Sequence, residues 1–340
     1  MIKTRCAFLI AFLAVWALAL TPEIHAQVVI KLGTVAPKDS TWYRILETMG
    51  ERWKQASGGK VELRIRAGTA GDESDIMRRI RVGQLQAGAV TTVGLSTIDP
   101  VAQALHIPLA FKSQEELDYV QSRITVRMEA ILQQKGFVVL NWGDAGWVRF
   151  FTKSPVVSPA DLKRLKLFVW AAGKSSDDIW KDNGFQPVAL SSVDILPGLQ
   201  TGMITAIQVP PLAALSNQWF AITRYMTDLR WAPLTGATII TRAAWEQIPA
   251  DIRPVLAKIA RESGDQMQKE IRTLEQQAID AMVKRGLQIV KVTPEAEREW
   301  QAIVEAIYPR LRGEFVPAEY FDEVLKLRDE YRHSRRNSGK

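Results

Sequence analysis

Histidine and cysteine are nearly absent from this chain: 340 residues carry three of the first and one of the second. The cysteine, Cys6, and one histidine, His25, both fall within the first 26 residues, which have the build of a signal peptide. Lys3 and Arg5 give a positive start, Ala7 to Leu20 is an unbroken apolar run, and Pro22 breaks it. Ile24-His25-Ala26 then offers a small residue, so cleavage is expected after Ala26. The run is short for a membrane span, and no cysteine stands at the cleavage point to take a lipid. The exported chain therefore has no disulfide and no thiol chemistry, and only His106 and His333 remain. Zinc sites and Ser-His-Asp triads draw on histidine, so neither is expected, nor is any metal or cofactor. His106, between Leu105 and Ile107-Pro108, reads as packed; His333, in a basic tail, reads as solvated.

Two further absences narrow the field. Lys and Arg outnumber Asp and Glu by 44 to 37, yet the excess is spread through helices, with one small cluster at Arg332, Arg335, Arg336 and Lys340. No basic stripe and no recognisable module accompanies it, so nucleic acid is not an expected partner. Gly173-Lys174-Ser175 resembles the end of a phosphate loop, but the loop's first glycine would fall at Phe168. Internal repeats and low-complexity segments are absent.

What is present alternates strands with helices. Val28 to Gly33 reads as a strand, followed by a helix through Trp42, Ile45, Leu46, Met49 and Trp53. Val61 to Arg66 is a strand with one wet face, Asp72-Glu73 opens a second helix, and Ala87 to Val93 is a third strand. This is βαβαβ, the opening of a parallel, doubly wound α/β domain. Ser113 starts a helix that runs to about Gln134. Phe137 to Trp142 is a strand, Gly143-Asp144-Ala145-Gly146 a flexible break, and Trp147 to Thr152 extended chain crossing into a second domain. Strands at Gln186 to Leu190 and Ala206 to Val209 follow, and Thr227 to Trp231 with Ala237 to Thr241 read as return strands. A helix from Asp251 to Gly286 is long enough to brace two lobes. Between these, Leu165 to Trp170 is a strand whose carboxyl end carries Phe168 and Trp170. Ligands of α/β sheets sit at such ends, so this strand is read as one greasy wall of a ligand cleft.

Laid out in order, these segments resemble the solute-binding subunit of tripartite ATP-independent periplasmic (TRAP) transporters, the DctP-like family. The marks are Leu32-Gly33-Thr34 with Trp42, Gly71-Asp72-Glu73 with Leu85 and Gly88, and the turn Ile107-Pro108-Leu109-Ala110-Phe111. Asp161-Leu162-Lys163-Arg164-Leu165-Lys166, Asp194, Leu199-Gln200-Thr201-Gly202 and Pro211-Leu212 complete them. The resemblance implies a two-lobed periplasmic binding protein of type II-like fold, with central sheets flanked by helices and several hinge crossings. It implies lobe I at 27–148 and 236–290, lobe II at 149–235, C-terminal helices at 291–326 packing across the lobes, and a basic, disordered tail at 327–340. It implies a periplasmic receptor without enzymatic activity, closing on one small-molecule solute and serving a TRAP membrane permease. A further periplasmic helical-repeat subunit is an additional candidate partner.

In most members of that family an arginine clamps the solute's carboxylate, and Phe168 stands at its position. Val209 stands where many members have an acid and Pro210 where they have asparagine, while a second basic position is kept as Arg149. A charge-assisted fork is worth ~1.5–3 kcal/mol, and phenylalanine offers none, so an apolar or amphipathic solute is expected. The expected ligand residues are Trp42, Trp147, Arg149, Phe168, Trp170, Gln208, Val209 and Pro210. Arg149 is also open to merely bridging Asp144 or another acid across the hinge. Two alternatives stand beside this reading. One is an ordinary monocarboxylate binder held by Arg149. The other is a secreted enzyme using Asp72, Glu73 and Asp75, although a helix start alone accounts for those acids.

Overall fold

The computed structural model describes residues 27–68, 71–171 and 177–338. The expected signal segment and the Gly173-Lys174-Ser175 turn lie outside the described residues. The chain opens with β1 (Val28–Thr34), α1 (Thr41–Ala56), β2 (Val61–Ala67), α2 (Glu73–Arg81) and β3 (Ala87–Thr91). Ser40 Oγ accepts from the Tyr43 amide to start α1, whose Ile45, Leu46, Met49 and Trp53 form one buried stripe. Asp72 and Asp75 close a capping box at the start of α2. β1 lies parallel to both β2 and β3, as the βαβαβ order requires.

Next come α3 (Thr92–Ser96), a 3-10 turn (Pro100–Leu105), α4 (Gln114–Gln134), β4 (Phe137–Thr152), α5 (Pro159–Lys163), β5 (Lys166–Trp170), α6 (Asp177–Asp182) and β6 (Gln186–Leu190). A 3-10 turn (Ser192–Asp194) leads into α7 (Ile195–Thr201), β7 (Ala206–Val209), α8 (Pro211–Ser216), β8 (Tyr225–Thr227) and β9 (Ala232–Thr241). The chain ends with α9 (Arg242–Gln247), α10 (Arg253–Val283), β10 (Gln288–Val290), α11 (Pro294–Arg310) and α12 (Ala318–Ser338). The strands run in the order β2-β1-β3-β9-β4-β7-β5-β6, with β8 joining the end of β4 and β10 lying parallel to β8.

Three features depart from the sequence reading. The expected break at Gly143 to Gly146 is not a break: β4 runs through it, paired with β9 from Phe137 to Val148 and with β7 from Arg149 to Thr152. The glycines are absorbed as a bulge between Asp144 and Gly146, where Gly146 takes φ 111°. The return strands also shift. β8 ends at Thr227, and β9 starts at Ala232 and runs through Pro233 and Gly236, held on one side by β4 and on the other by β3. Finally, the tail expected to be disordered from 327 is helical through Ser338. Tyr320, Phe321 and Val324 of α12 pack against Leu117, Val120 and Ile124 of α4, and Arg332 forks onto Glu116 at 2.8 and 2.9 Å.

The 31 residues of α10 span about 46 Å at ~1.5 Å per residue. Leu256, Ile259 and Met267 join the core under β1, while Ile279 and Met282 join the core around Phe151 and Phe168. The brace is therefore real. It lies so close to β4 that a Cβ on Gly264 would stand 2.7 Å from the Trp142 carbonyl oxygen.

Candidate functional site

The parallel strands β1, β3, β5 and β7 all end at one cleft of about 380 Å³, lined by Thr34, Thr91, Trp170 and Val209 from those ends. Trp42 and Glu73 line it from one side, Ser192, Pro210 and Trp219 from the other, and Gly143, Asp144, Leu234 and Gly236 form the floor. Gly236 has a local reason to be glycine: a Cβ there would meet the Val90 carbonyl oxygen at 2.6 Å.

The floor and walls are tied together by hydrogen bonds. Trp42 Nε1 donates to the Asp144 carbonyl at 3.2 Å. Asp144 Oδ2 accepts from Arg272 Nε at 2.9 Å, and the same guanidinium forks onto Asp118 at 3.0 and 2.7 Å. Burial drives the Asp144 carboxyl upward against the pull of Arg272, and its Oδ1 is buried without a hydrogen-bond partner. Glu73, 1% exposed, accepts from the Thr91 amide and hydroxyl at 2.9 Å each and from the Gly94 amide at 2.6 Å. Burial outweighs these donors and lifts its pKa to about 7.

Asp72 links the two walls. Its carboxylate caps α2 and accepts from Ser192 Oγ at 2.8 Å and from the Ser192 amide at 3.3 Å. A hydrogen bond from a neutral donor to a charged carboxylate is worth about 1.5–3 kcal/mol net. Ser192→Ala is therefore expected to weaken solute affinity about tenfold or more in a calorimetric titration, by easing the walls apart. Unchanged affinity would mean that closure does not depend on this contact.

The expected ligand residues separate into those the cleft gathers and those it does not. Trp42, Trp170, Val209 and Pro210 line it. Phe168 does not. It is fully buried with Phe151, Ile195, Leu199 and Ile204, and Trp170 meets it edge-on at 5.0 Å between ring centres. Both rings share one face of β5, but only the terminal one clears the strands and helices that cover the first. Arg149 is also absent from the cleft wall. Its guanidinium lies 3.0 Å from Asp228 and 3.7 Å from Glu275, with the side chain 8% exposed, so it bridges acids at the lobe crossing, these two and not Asp144. Trp147 is buried and donates to Gln114 Oε1 at 3.1 Å. Gln208 points to the face opposite Val209 and lines a second cavity. Sequence reasoning passed over Ser192, Asn217, Trp219 and Met267 as wall residues. The polar ones sit in a turn and at a helix end, where the pattern shows no periodicity to flag them.

A cleft at strand ends, between two lobes joined by continuous strands, is the geometry of a solute receptor. Residues 32–314 match the family described as bacterial extracellular solute-binding protein, family 7 (DctP). The chain belongs to that family. It is 22% identical over 299 residues to the C4-dicarboxylate-binding periplasmic protein DctP of Rhodobacter capsulatus, covering 85% of this chain and 88% of that one. It is 23% identical over 312 residues to the ectoine/5-hydroxyectoine-binding periplasmic protein UehA of Ruegeria pomeroyi, covering 85% and 91%. Among solved structures, the sugar acid binding protein DctPAm of Advenella mimigardefordensis with galactonate superposes with a TM-score of 0.84 at 16% identity, covering 90% and 99%. A TRAP periplasmic solute-binding protein of Sulfurospirillum deleyianum with succinate gives 0.80 at 20% identity, covering 89% and 98%. The family 7 chain is thus a TRAP solute-binding protein of two-lobed α/β fold, in a family of transport receptors and not of enzymes. Among the described residues, no helix is long and apolar enough to cross a membrane.

Proposed function

We propose that this family 7 protein is a periplasmic receptor for an uncharged, largely apolar solute, delivered to a TRAP permease. One observation carries the reading: among the described residues, the cleft wall contains no lysine or arginine. Its ionisable side chains are Glu73 and Asp144, both acids, both pushed toward the protonated form by burial. A carboxylate placed there would lose its water and meet no counter-charge, a cost of several kcal/mol. Hydrocarbon would gain about 25 cal/mol for each Å² removed from water, and a hydroxyl or amide N–H would find acceptors at the floor. Buried Arg149 and half-buried Arg272 direct N–H groups at Asp228, Asp144 and Asp118. The lobes are read as 27–148 with 236–290, and 149–235, with entry to the periplasm through cleavage after Ala26.

A carboxylate reading draws on relatives whose names specify dicarboxylates, and on structures holding succinate or galactonate. One pair of titrations separates the two. Cyclohexylmethanol should bind the mature protein at least tenfold more tightly than cyclohexanecarboxylate, and succinate and galactonate should show no heat. The reverse order would end the neutral-solute reading and restore an acid-binding one. Native mass spectrometry of protein purified without added ligand then identifies the natural solute by mass.

A further inference from the structure

Behind Trp170 lies a second cavity of about 100 Å³. Trp170 and Leu234 line both it and the main cleft. Its remaining wall includes His106 and Ile107 after the 3-10 turn, Val148 and Gln208 of the central strands, Trp180 of α6, and Val316 at the kink between α11 and α12. Apart from His106, Gln103 and Gln208, the lining is apolar. The His106 ring donates from Nδ1 to the Pro233 carbonyl at 2.8 Å, since a carbonyl can only accept. Burial lowers its pKa, so the ring is neutral and its other nitrogen is an acceptor. The cavity therefore holds no cation for an acid and no anion for an amine.

The chamber is partly open, and apolar cavities of a similar size, about 150 Å³, take up small hydrocarbons. Here the void adjoins a solute cleft, and the Trp170 indole and Leu234 stand between the two. Trp170 leans edge-on against Phe168 beneath it and is only partly buried itself.

We propose that this chamber is a second compartment of the solute site, that one end of an elongated uncharged solute passes Trp170 to occupy it, and that Trp170 sets the length of solute accepted. The inference rests on the neutral-solute reading above and adds to it the shape of the ligand. Val316 lines the chamber where the chain turns from α11 to α12.

The test is a homologous series of straight-chain alcohols, butanol to decanol, titrated calorimetrically into three proteins: the unaltered chain, Trp170→Ala and Val316→Phe. Each methylene that leaves water should tighten binding about fourfold, until the site is full and the gain stops. Opening the partition in Trp170→Ala should move that plateau to longer alcohols. Filling the chamber in Val316→Phe should move it to shorter ones. If Val316→Phe fails to fold, Trp170→Ala decides alone. A plateau at the same chain length in every folded variant would overturn the two-compartment site while leaving the neutral-solute reading intact. No binding of any alcohol by the unaltered protein would bring down both.

Discussion

Arg149→Met is expected to lower the stability of the folded protein by about 3–5 kcal/mol and to leave its solute affinity within twofold of the original. The first part follows from what the guanidinium does. It sits at 8% side-chain exposure between Asp228 and Glu275, whose own side chains are 33% and 14% exposed. Removing one member of a buried pair strands the other, and the cost is that of an uncompensated charge. Asp228 keeps Lys291 at 2.5 Å, so the burden falls on Glu275, whose carboxyl burial already drives upward against the pull of Arg149. The second part follows from position, since Arg149 does not line the cleft.

Thermal unfolding should show the loss as a drop of roughly 10 °C. Adding Glu275→Gln to the same chain should recover a large share of it, because a neutral amide has no charge to strand. The single variant should also suffer less at pH 5 than at pH 8, where protonation of Glu275 no longer relieves it. A folded, stable Arg149→Met protein that no longer binds solute would reverse the assignment and make this arginine the ligand's anchor.

Much of the architecture was legible because periodicity and caps agree. The stripe of Ile45, Leu46, Met49 and Trp53, the Asp72 cap and the alternation of Val61, Leu63 and Ile65 each specify their element without help from distant residues. The failures occur where a partner strand decides. The expected return strand starts only at Ala237, yet β9 begins at Ala232 and passes through Pro233 and Gly236, because β4 and β3 pair with it from either side. Residues 228–231 read as part of a return strand, but Asp228 leaves the ladder to receive Arg149 and Lys291. The tail is basic enough to look solvated, and only docking of its apolar face on α4 makes it a helix.

The site was half legible for a related reason. Sequence alternation puts Phe168 and Trp170 on one face but cannot say which of them is roofed over. The same alternation places Gln208 and Val209 on opposite faces, so both could never have lined one wall. The absence of a cation was visible at Phe168, whereas the acids that give the cleft its character were not. Glu73 and Asp144 lie 71 residues apart in the chain, the first at a helix start where the dipole explains it, the second in what looked like a flexible break.

Glu73 makes the cleft sensitive to pH, and the direction can be worked out. In the folded protein its carboxyl keeps a proton up to about 7, against 4.5 for an unperturbed side chain. Between those values the native state carries a proton that the unfolded state has released, so raising the pH favours unfolding. The contribution is fully present below pH 4.5 and is lost as pH rises through 7. The gap between the two values corresponds to about 3 kcal/mol of folding free energy. Glu73→Gln removes the titration but sets an amide N–H₂ against donors that now serve a carboxyl, chiefly the Gly94 amide at 2.6 Å. Its stability deficit relative to the unaltered protein should therefore be greatest near pH 5 and shrink by about 3 kcal/mol by pH 8. Denaturant midpoints of the two proteins measured across that range give the difference directly, with all other groups cancelling. A deficit that stays constant from pH 5 to pH 8 would mean that Glu73 is ionised throughout. The cleft would then carry a fixed negative charge, and an amine-bearing solute would become the better fit.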